Sequence, residues 1–486
     1  AALLGCVPPA SADPALPVPA AVFVSTGSAT APVVSGTTMT IHTQSAATVL
    51  NYQSFDIAAG HTVRIEQPDA LSRAINRVLP GGPRSDIHGA LQSNGQVFLI
   101  NQAGVLFGPG ARVDVAGLVA TSLKMADELV DRGLSTFGAS APAFFRDGEA
   151  GDVVVQQGAR IVAAQGGRIL LAAPTVSNAG ELVNVEGQTI LAAGERLYLA
   201  DPLDSRLRGF LVEVDGGGLV SNEAAGRLLS ARGNITLVGQ NVYHAGEARA
   251  TTAVTLNGTI FLKARDTVSA RDADRMFPDI AAIDTTTEAP IPVGMETGTV
   301  ELAAGSVIEI RAETEAAQTV RDDAAFRPSE VNIYGRRIIA EDAAEGAVGA
   351  TISAPAGVVR LTATSDVVGV DNRSVRDDDA RVYLGQGTRI DVSGLEGVTV
   401  AADHDIIAVE LRGDELKDSP VLRDPAYGRE LVGKTIYIDS KLGTRLADVS
   451  AYFGAIERTV AERSTLGGSV EIFSQGDVLM HRNSVI

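Results

Sequence analysis

The sequence has no tryptophan and a single cysteine, and only 4% of its 486 residues are aromatic. One thiol, Cys6, rules out an intramolecular disulfide framework and a thiolate metal cluster. Scarce aromatics argue against a large pocket walled by rings. Forty Lys and Arg stand against 59 Asp and Glu, a formal charge of −19. No phosphate-binding surface is therefore written into the bulk composition, and nucleic acid is not expected as a partner. The six histidines, His42, His61, His88, His244, His404 and His481, lack the paired spacing of a zinc site, so no metal or cofactor is expected. No run of eighteen apolar residues follows the first few positions, so no membrane-spanning helix is expected. What the chain does have is 45% hydrophobic residues and 51 glycines. With rings scarce, Ala, Val, Ile and Leu must fill the interior, and these side chains suit a repetitive, layered core. The length fits about three ordinary domains or one long solenoid.

The chain starts at Ala1. Ala1-Ala2-Leu3-Leu4-Gly5-Cys6-Val7 reads as the tail of a signal-peptide core, and Ala10-Ser11-Ala12 fits a cleavage site, which points to export. Leu3-Leu4-Gly5-Cys6 also fits a lipoprotein box with Cys6 lipidated; cleavage after Ala12 is the favoured reading.

Helix signals are few. Gly, one residue, then apolar-x-apolar recurs, with another apolar residue a few positions on, as in Gly167 to Leu171 then Val176, Gly298 to Leu302 then Val307, and Gly468 to Ile472 then Val478. A period of two marks strands, and Gly, Asn and Ala between them mark turns. Gly167, Ile169, Leu171, Val176, Ala179, Gly180 and Glu181 reappear as Gly233, Ile235, Leu237, Val242, Ala245, Gly246 and Glu247, every pair at the same offset. Three coils of roughly 22 would give that offset, and Ile169 to Ile190 is close to one such coil. A second echo sets Gly110-Ala111-Arg112-Val113-Asp114-Val115 beside Gly387-Thr388-Arg389-Ile390-Asp391-Val392. Such spacing predicts an all-β, parallel β-helix, because a lone coil exposes unpaired amides and an apolar face that a neighbour about 4.8 Å away satisfies together. A β-sandwich array is the alternative. Leu123 to Val130 has helical spacing and leads towards Phe144-Phe145 as an excursion. Residues 266–297 and the charged run Asp403 to Glu430 read as further excursions.

Residues 48–123 carry an ordered set of motifs: Asn51-Tyr52-Gln53-Ser54-Phe55-Asp56-Ile57, Gly60-His61-Thr62-Val63, Gln67-Pro68, Asn76-Arg77-Val78, Gly95 to Asn101, and Gly104-Val105-Leu106-Phe107-Gly108-Pro109-Gly110 running on to Ala120. This set resembles the amino-terminal secretion domain of filamentous haemagglutinin-type exoproteins of two-partner secretion systems. The resemblance implies a right-handed parallel β-helix capped at its amino end. It also implies secretion through an Omp85-type outer-membrane pore of a Gram-negative cell, with folding outside the cell helping to draw the chain through. The family's Asn-Pro-Asn-Gly turn appears as Asn101-Gln102-Ala103-Gly104, without the Pro and the second Asn. Candidate secretion-motif residues are Asn51, Asn76, Asn101, Gly104, Phe107 and Gly108, each serving as a turn or core position, as a pore contact, or as both.

Other motifs weigh less. Gly428 to Thr435 matches the phosphate-binding loop pattern, yet Thr435-Ile436-Tyr437-Ile438-Asp439 reads as a strand where a helix is required. Arg412-Gly413-Asp414 is an integrin-type tripeptide in what reads as a charged turn. Asp377-Asp378-Asp379 with Asp371 lacks a calcium-loop pattern. Asp114 and Asp391 are the carboxylates that a β-helical polysaccharide lyase or hydrolase could use, but recurrence marks a structural corner better than an active site.

The reading is thus a non-enzymatic, secreted or surface-associated adhesin-type exoprotein, with a glycan-acting enzyme as the alternative. Residues 1–20 are a signal remnant and linker, 21–200 the secretion domain and 201–486 a continuing shaft. Partners are an Omp85-type transporter and, through regions beyond this chain, host cells or other bacteria. Asn483-Ser484-Val485-Ile486 brings no polar capping segment, so the chain is expected to be the front of a longer one.

Overall fold

In a computed structural model, residues 15–134, 142–200, 209–265, 267–271, 291–295, 298–365, 378–412, 415–416 and 430–486 are described. Short strands of small aliphatics stack in register on their counterparts from later coils and build three long sheets. Among the described residues the first sheet has 12 strands, the second 10 and the third 12. Between the first coil and the last, each coil contributes one strand to each sheet in turn. Arg168–Ala173, Thr175–Asn178 and Glu181–Val185 make one coil, and Gln188–Ala193 opens the next. All coil-to-coil pairing is parallel, and such crossovers are right-handed. The expected parallel β-helix is the observed fold.

The amino end is closed differently. Val18–Thr26 pairs antiparallel with Ala47–Ser54, and Val33–Ser35 pairs antiparallel with Thr38–His42, so reversed strands cover the first edge of the first and third sheets.

The interior is one continuous apolar cluster from Met39 to Ile390. Ile169, Leu171, Ile235 and Leu237 are fully buried in it, as their spacing predicts. The echo of Gly167–Glu181 in Gly233–Glu247, however, spans two coils and not three. Gln188–Ala193 lies on Arg168–Ala173, and Asn234–Gly239 lies on Gln188–Ala193 after a stretch of chain more than twice as long. The second coil carries an excursion about one coil long, which imitates a missing repeat. Ile169 accordingly stacks on Thr189, while Ile190 stacks on Leu170 on the opposite face of the sheet. The second echo is positional: Arg112, Arg160, Glu181, Arg227, Glu247, Val307, Thr351 and Arg389 follow one another across the third sheet. Asp114 and Asp391 therefore hold equivalent places seven coils apart, about 34 Å at the usual strand spacing.

Excursions leave from two corners. Between the first and second sheets the chain departs after Gly117–Thr121, Gln188–Ala193, Thr259–Ala264 and Val358–Ala363. Between the third and first sheets it departs after Val307–Ala312 and Arg389–Asp391. The first excursion contains the strand Lys124–Met125, the helix Glu128–Arg132 and the strand Phe144–Phe145, so the expected excursion is present but the helical spacing over Leu123 to Val130 is a helix only from Glu128, its start being taken up as a strand that pairs with Phe144–Phe145. The last one forms a small unit in which Ile406–Glu410 pairs antiparallel with Thr435–Asp439 over Val409, Leu411, Leu416, Ile438, Ala447 and Val449.

Candidate functional site

The six candidate residues fall into two groups in the early coils. Asn51 and Asn76 sit in successive strands of the first sheet but point to opposite faces. Asn51 Nδ2 donates to the carbonyl of Val22 at 3.1 Å, fastening the antiparallel cap strand. Asn76 points into the core, where it accepts from the Tyr52 hydroxyl at 3.0 Å and donates to the carbonyls of Ala74 and Phe98 at 3.1 and 3.2 Å. Burial holds the Tyr52 phenol neutral well above its ordinary range.

Asn101 and Gly104 make the tight corner from the first sheet into the second, Phe107 ends the second-sheet strand Val105–Phe107 that follows, and Gly108 opens the next corner. Asn101 Nδ2 donates to the Pro83 carbonyl at 2.8 Å and to Ser85 Oγ at 2.9 Å, while its Oδ1 accepts from the Ala103 amide at 3.0 Å. This side-chain turn sets the corner that a proline would otherwise rigidify. Gly104 has φ +100°, and a Cβ there would stand 2.6 Å from the Asp152 carbonyl oxygen. Phe107 is fully buried beside Ile87 and Val155. A Cβ on Gly108 would meet the His88 ring at 2.1 Å. Gln102, which replaces the family's proline, donates to the Asp147 carbonyl at 3.0 Å and ties the corner to the first excursion. Later coils throw their long excursions from this same corner, so Asn101 to Gly104 is its compact form.

The sequence reading missed a second layer outside the stack. Lys124–Met125, Phe144–Phe145, Arg196–Ala200 and Leu211–Asp215 make a four-stranded antiparallel sheet. It covers the outer face of the first sheet, burying Val49, Ile75, Phe98, Val119, Leu170 and Ile190 in a second core with Leu129, Phe144, Leu199 and Val212. The signal was present: Val97-Phe98-Leu99-Ile100 and Ile169-Leu170-Leu171 are unbroken apolar runs, the mark of a strand covered on both faces. The layer is stitched by Lys124–Asp147 at 2.8 Å, Arg146–Glu195 at 2.8 Å and Arg196–Asp215 at 2.7 Å. Arg73 reaches from the stack to the carbonyls of Val130 and Asp131 at the end of the short helix. Glu213, buried, takes Lys263 at 3.0 Å and Arg265 at 2.6 Å, joining the layer to a later coil.

A polar ladder also runs inside the second sheet. Asn178 donates to Asn222 at 2.8 Å, Asn222 meets His244 Nδ1 at 3.2 Å, and His244 Nε2 meets the Val307 carbonyl at 3.1 Å. Burial pushes the His244 imidazole down to about 4, so the ring is neutral at pH 7 and accepts at Nδ1 while donating from Nε2.

The remaining motifs stay apart. Lys434 leads into the strand Thr435–Asp439, so the structure required for phosphate binding is absent there; Gly428 and Arg429 lie outside the described residues. Arg412 pairs with Glu410 at 2.7 Å, and Gly413 and Asp414 lie outside the described residues. Asp379 pairs with Arg336 at 2.9 Å, whereas Asp371 and Asp377 lie outside, as do the export signals before residue 15, with Cys6. Among the described residues no group of three or more His, Cys, Asp or Glu is placed to hold a metal ion, and no helix is long and apolar enough to cross a membrane.

Residues 10–272, which include all six candidates and the covering layer, match the family model described as the TPS secretion domain, that of two-partner secretion. The chain belongs to the TPS secretion domain family. A heme/hemopexin-binding protein of Haemophilus influenzae strain Rd is 31% identical over 242 residues, covering 48% of this chain and 26% of that protein. A second heme/hemopexin-binding protein from the same species is 44% identical over 84 residues, 17% of this chain and 9% of the relative. The chain thus spans about a quarter or less of the length of these relatives. The crystal structure of the HMW1 secretion domain from Haemophilus influenzae superposes with a TM-score of 0.50 at 20% identity, over 76% of this chain and 83% of that one. This likeness establishes a shared fold for the TPS secretion domain and the coils around it.

Proposed function

We propose that residues 21–200 direct export of a two-partner exoprotein through an Omp85-type outer-membrane pore, and that residues 201–486 begin the shaft it delivers. The observation that carries this reading is the TPS secretion domain match over residues 10–272 on a stack whose amino end is closed by antiparallel strands. A closed first edge gives an emerging chain a place to begin, and each later coil then finds a finished edge to add to. The core runs from Met39 to Ile390, past the proposed boundary at 200 without a break, which suits a cap continuous with its rod. Heme and hemopexin binding belong to the relatives' names, and no residue here is assigned to either. An enzymatic role on surface glycans draws less support, because Asp114 and Asp391 stand too far apart to share a glycosidic bond.

The test is a pulldown of residues 13–200 with the periplasmic region of the cognate pore, together with secretion of the full chain lacking residues 48–123. Binding and loss of secretion are expected. Absence of binding with undiminished secretion overturns the proposal.

A further inference from the structure

On the outer face of the third sheet, Arg160, Glu181, Arg227 and Glu247 occupy one row in four consecutive coils. Their signs alternate and each touches the next. Arg160 pairs with Glu181, Arg227 reaches Glu181 at 3.0 Å and Glu247 at 3.2 Å. Arg249 continues the chain from Glu247 at 3.4 Å to Glu309 at 3.0 Å, and Arg311 follows at 2.7 Å. All are partly exposed, so any single pair adds little stability. Their order carries more information than their number.

The inward positions of these strands discriminate poorly. Ile161, Leu182, Leu228 and Ala248 are all buried aliphatics, and one coil's interior is nearly as acceptable to the next coil but one as to its neighbour. A growing stack can therefore skip a coil at small hydrophobic penalty. The alternating row opposes that error. Skipping the Glu181 strand sets Arg160 against Arg227, and skipping the Arg227 strand sets Glu181 against Glu247. Neighbours attract and next-neighbours repel.

We infer that the row Arg160, Glu181, Arg227 and Glu247 is a charge code that enforces the order in which coils stack, by making a skipped coil repulsive. The alternation begins at Arg160. Arg112 and Arg160 are like-charged neighbours, but there Arg112 turns aside to donate to the carbonyls of Ala111 and Gly158 at 2.8 and 2.7 Å.

The experiment compares three versions of the full chain in a Cys6→Ser background: the native row, the fully inverted row (R160E, E181R, R227E, E247R) and an inner exchange (E181R, R227E). The last keeps composition and net charge but turns both skipped arrangements attractive. All carry V183C and R249C, residues that lie two strands apart through Leu229 and so about 10 Å from each other, beyond disulfide reach, in the native order. They become neighbours when the Arg227 strand is skipped. Chains are refolded from denaturant with oxidised glutathione present to take up the thiol electrons, at low salt and at about 1 M salt, where surface charges are screened. The crosslink is read on denaturing gels, so a variant that never reaches the native state still reports its register. The expected result is several-fold more crosslink in the inner exchange at low salt, falling towards native at high salt, with the inverted row behaving as native. No enrichment in the inner exchange, or equal enrichment in the inverted row, overturns the inference.

Discussion

Tyr52 and Asn76 meet through a 3.0 Å hydrogen bond inside the stack, both fully buried on adjacent first-sheet strands. Neither group can reach water, so each depends on the other. Asn76→Leu, which leaves the Tyr52 hydroxyl without its acceptor and takes a donor from the Ala74 and Phe98 carbonyls, and Tyr52→Phe are each expected to destabilise by about 1–3 kcal/mol, and the double variant by clearly less than the sum of the two. Denaturant midpoints across the four-membered cycle check this.

His244 makes stability fall on mild acidification. Its folded pKa of about 4 lies below the unfolded value of 6.5, so at pH 7 both states are mostly neutral and little is lost. As pH drops below 6.5 the unfolded chain takes the proton first, and the loss grows until the folded pKa is passed, to a limit of about 3 kcal/mol. Unfolding midpoints at pH 7 and pH 5 are expected to differ by more in the native protein than in His244→Gln, whose amide can both accept from Asn222 and donate to Val307.

Gly108→Ala places a methyl group against His88, and the double variant with His88→Ala removes the obstacle. The single change is expected to lower protease resistance and the double change to restore it. Secretion measured on the refolding-competent double variant then separates a packing role for Gly108, with secretion recovered, from direct reading by the pore, with secretion still lost.

Adjacent positions on one strand should fail in different ways. Ile169→Asp and Leu171→Asp put a charge in the interior of the stack and are expected to destabilise by several kcal/mol, on the order of the penalty for a buried unpaired charge, exposing several coils to protease. Leu170→Asp faces the covering layer instead, and limited proteolysis should release residues 123–150 while the coils stay resistant.

The coils were legible because a strand's period of two and a glycine at its corner are local properties. Ile169, Leu171, Ile235 and Leu237 declared themselves inward, and Asp114 and Asp391 declared one shared place in the stack. Coil number was not legible. The excursion after Gln188–Ala193 adds nearly one repeat of chain, and spacing alone cannot separate an inserted segment from another turn of the rod. The covering layer was written in the doubled apolar runs around Phe98 and Leu170, but its strands come from separate excursions, and their pairing is a tertiary fact. The partners of Asn51, Asn76 and Asn101 are mostly a coil or so away along the chain, at separations that only the coil geometry closes.

Val358–Ala363 is followed in the first sheet by Ser469–Ser474, with everything from Thr364 to Gly468 between them, and the two strands pair residue for residue as closely as Arg168–Ala173 and Gln188–Ala193 of directly consecutive coils. The stack checks only where the chain returns and takes no account of how far it has travelled, and the entropy of closing a longer detour rises only logarithmically. A foreign domain with neighbouring termini, put in place of residues 395–465 at the corner after Asp391, is therefore expected to travel on the rod as a passenger, with loss of the pairing between Glu457–Thr459 and Thr319–Arg321.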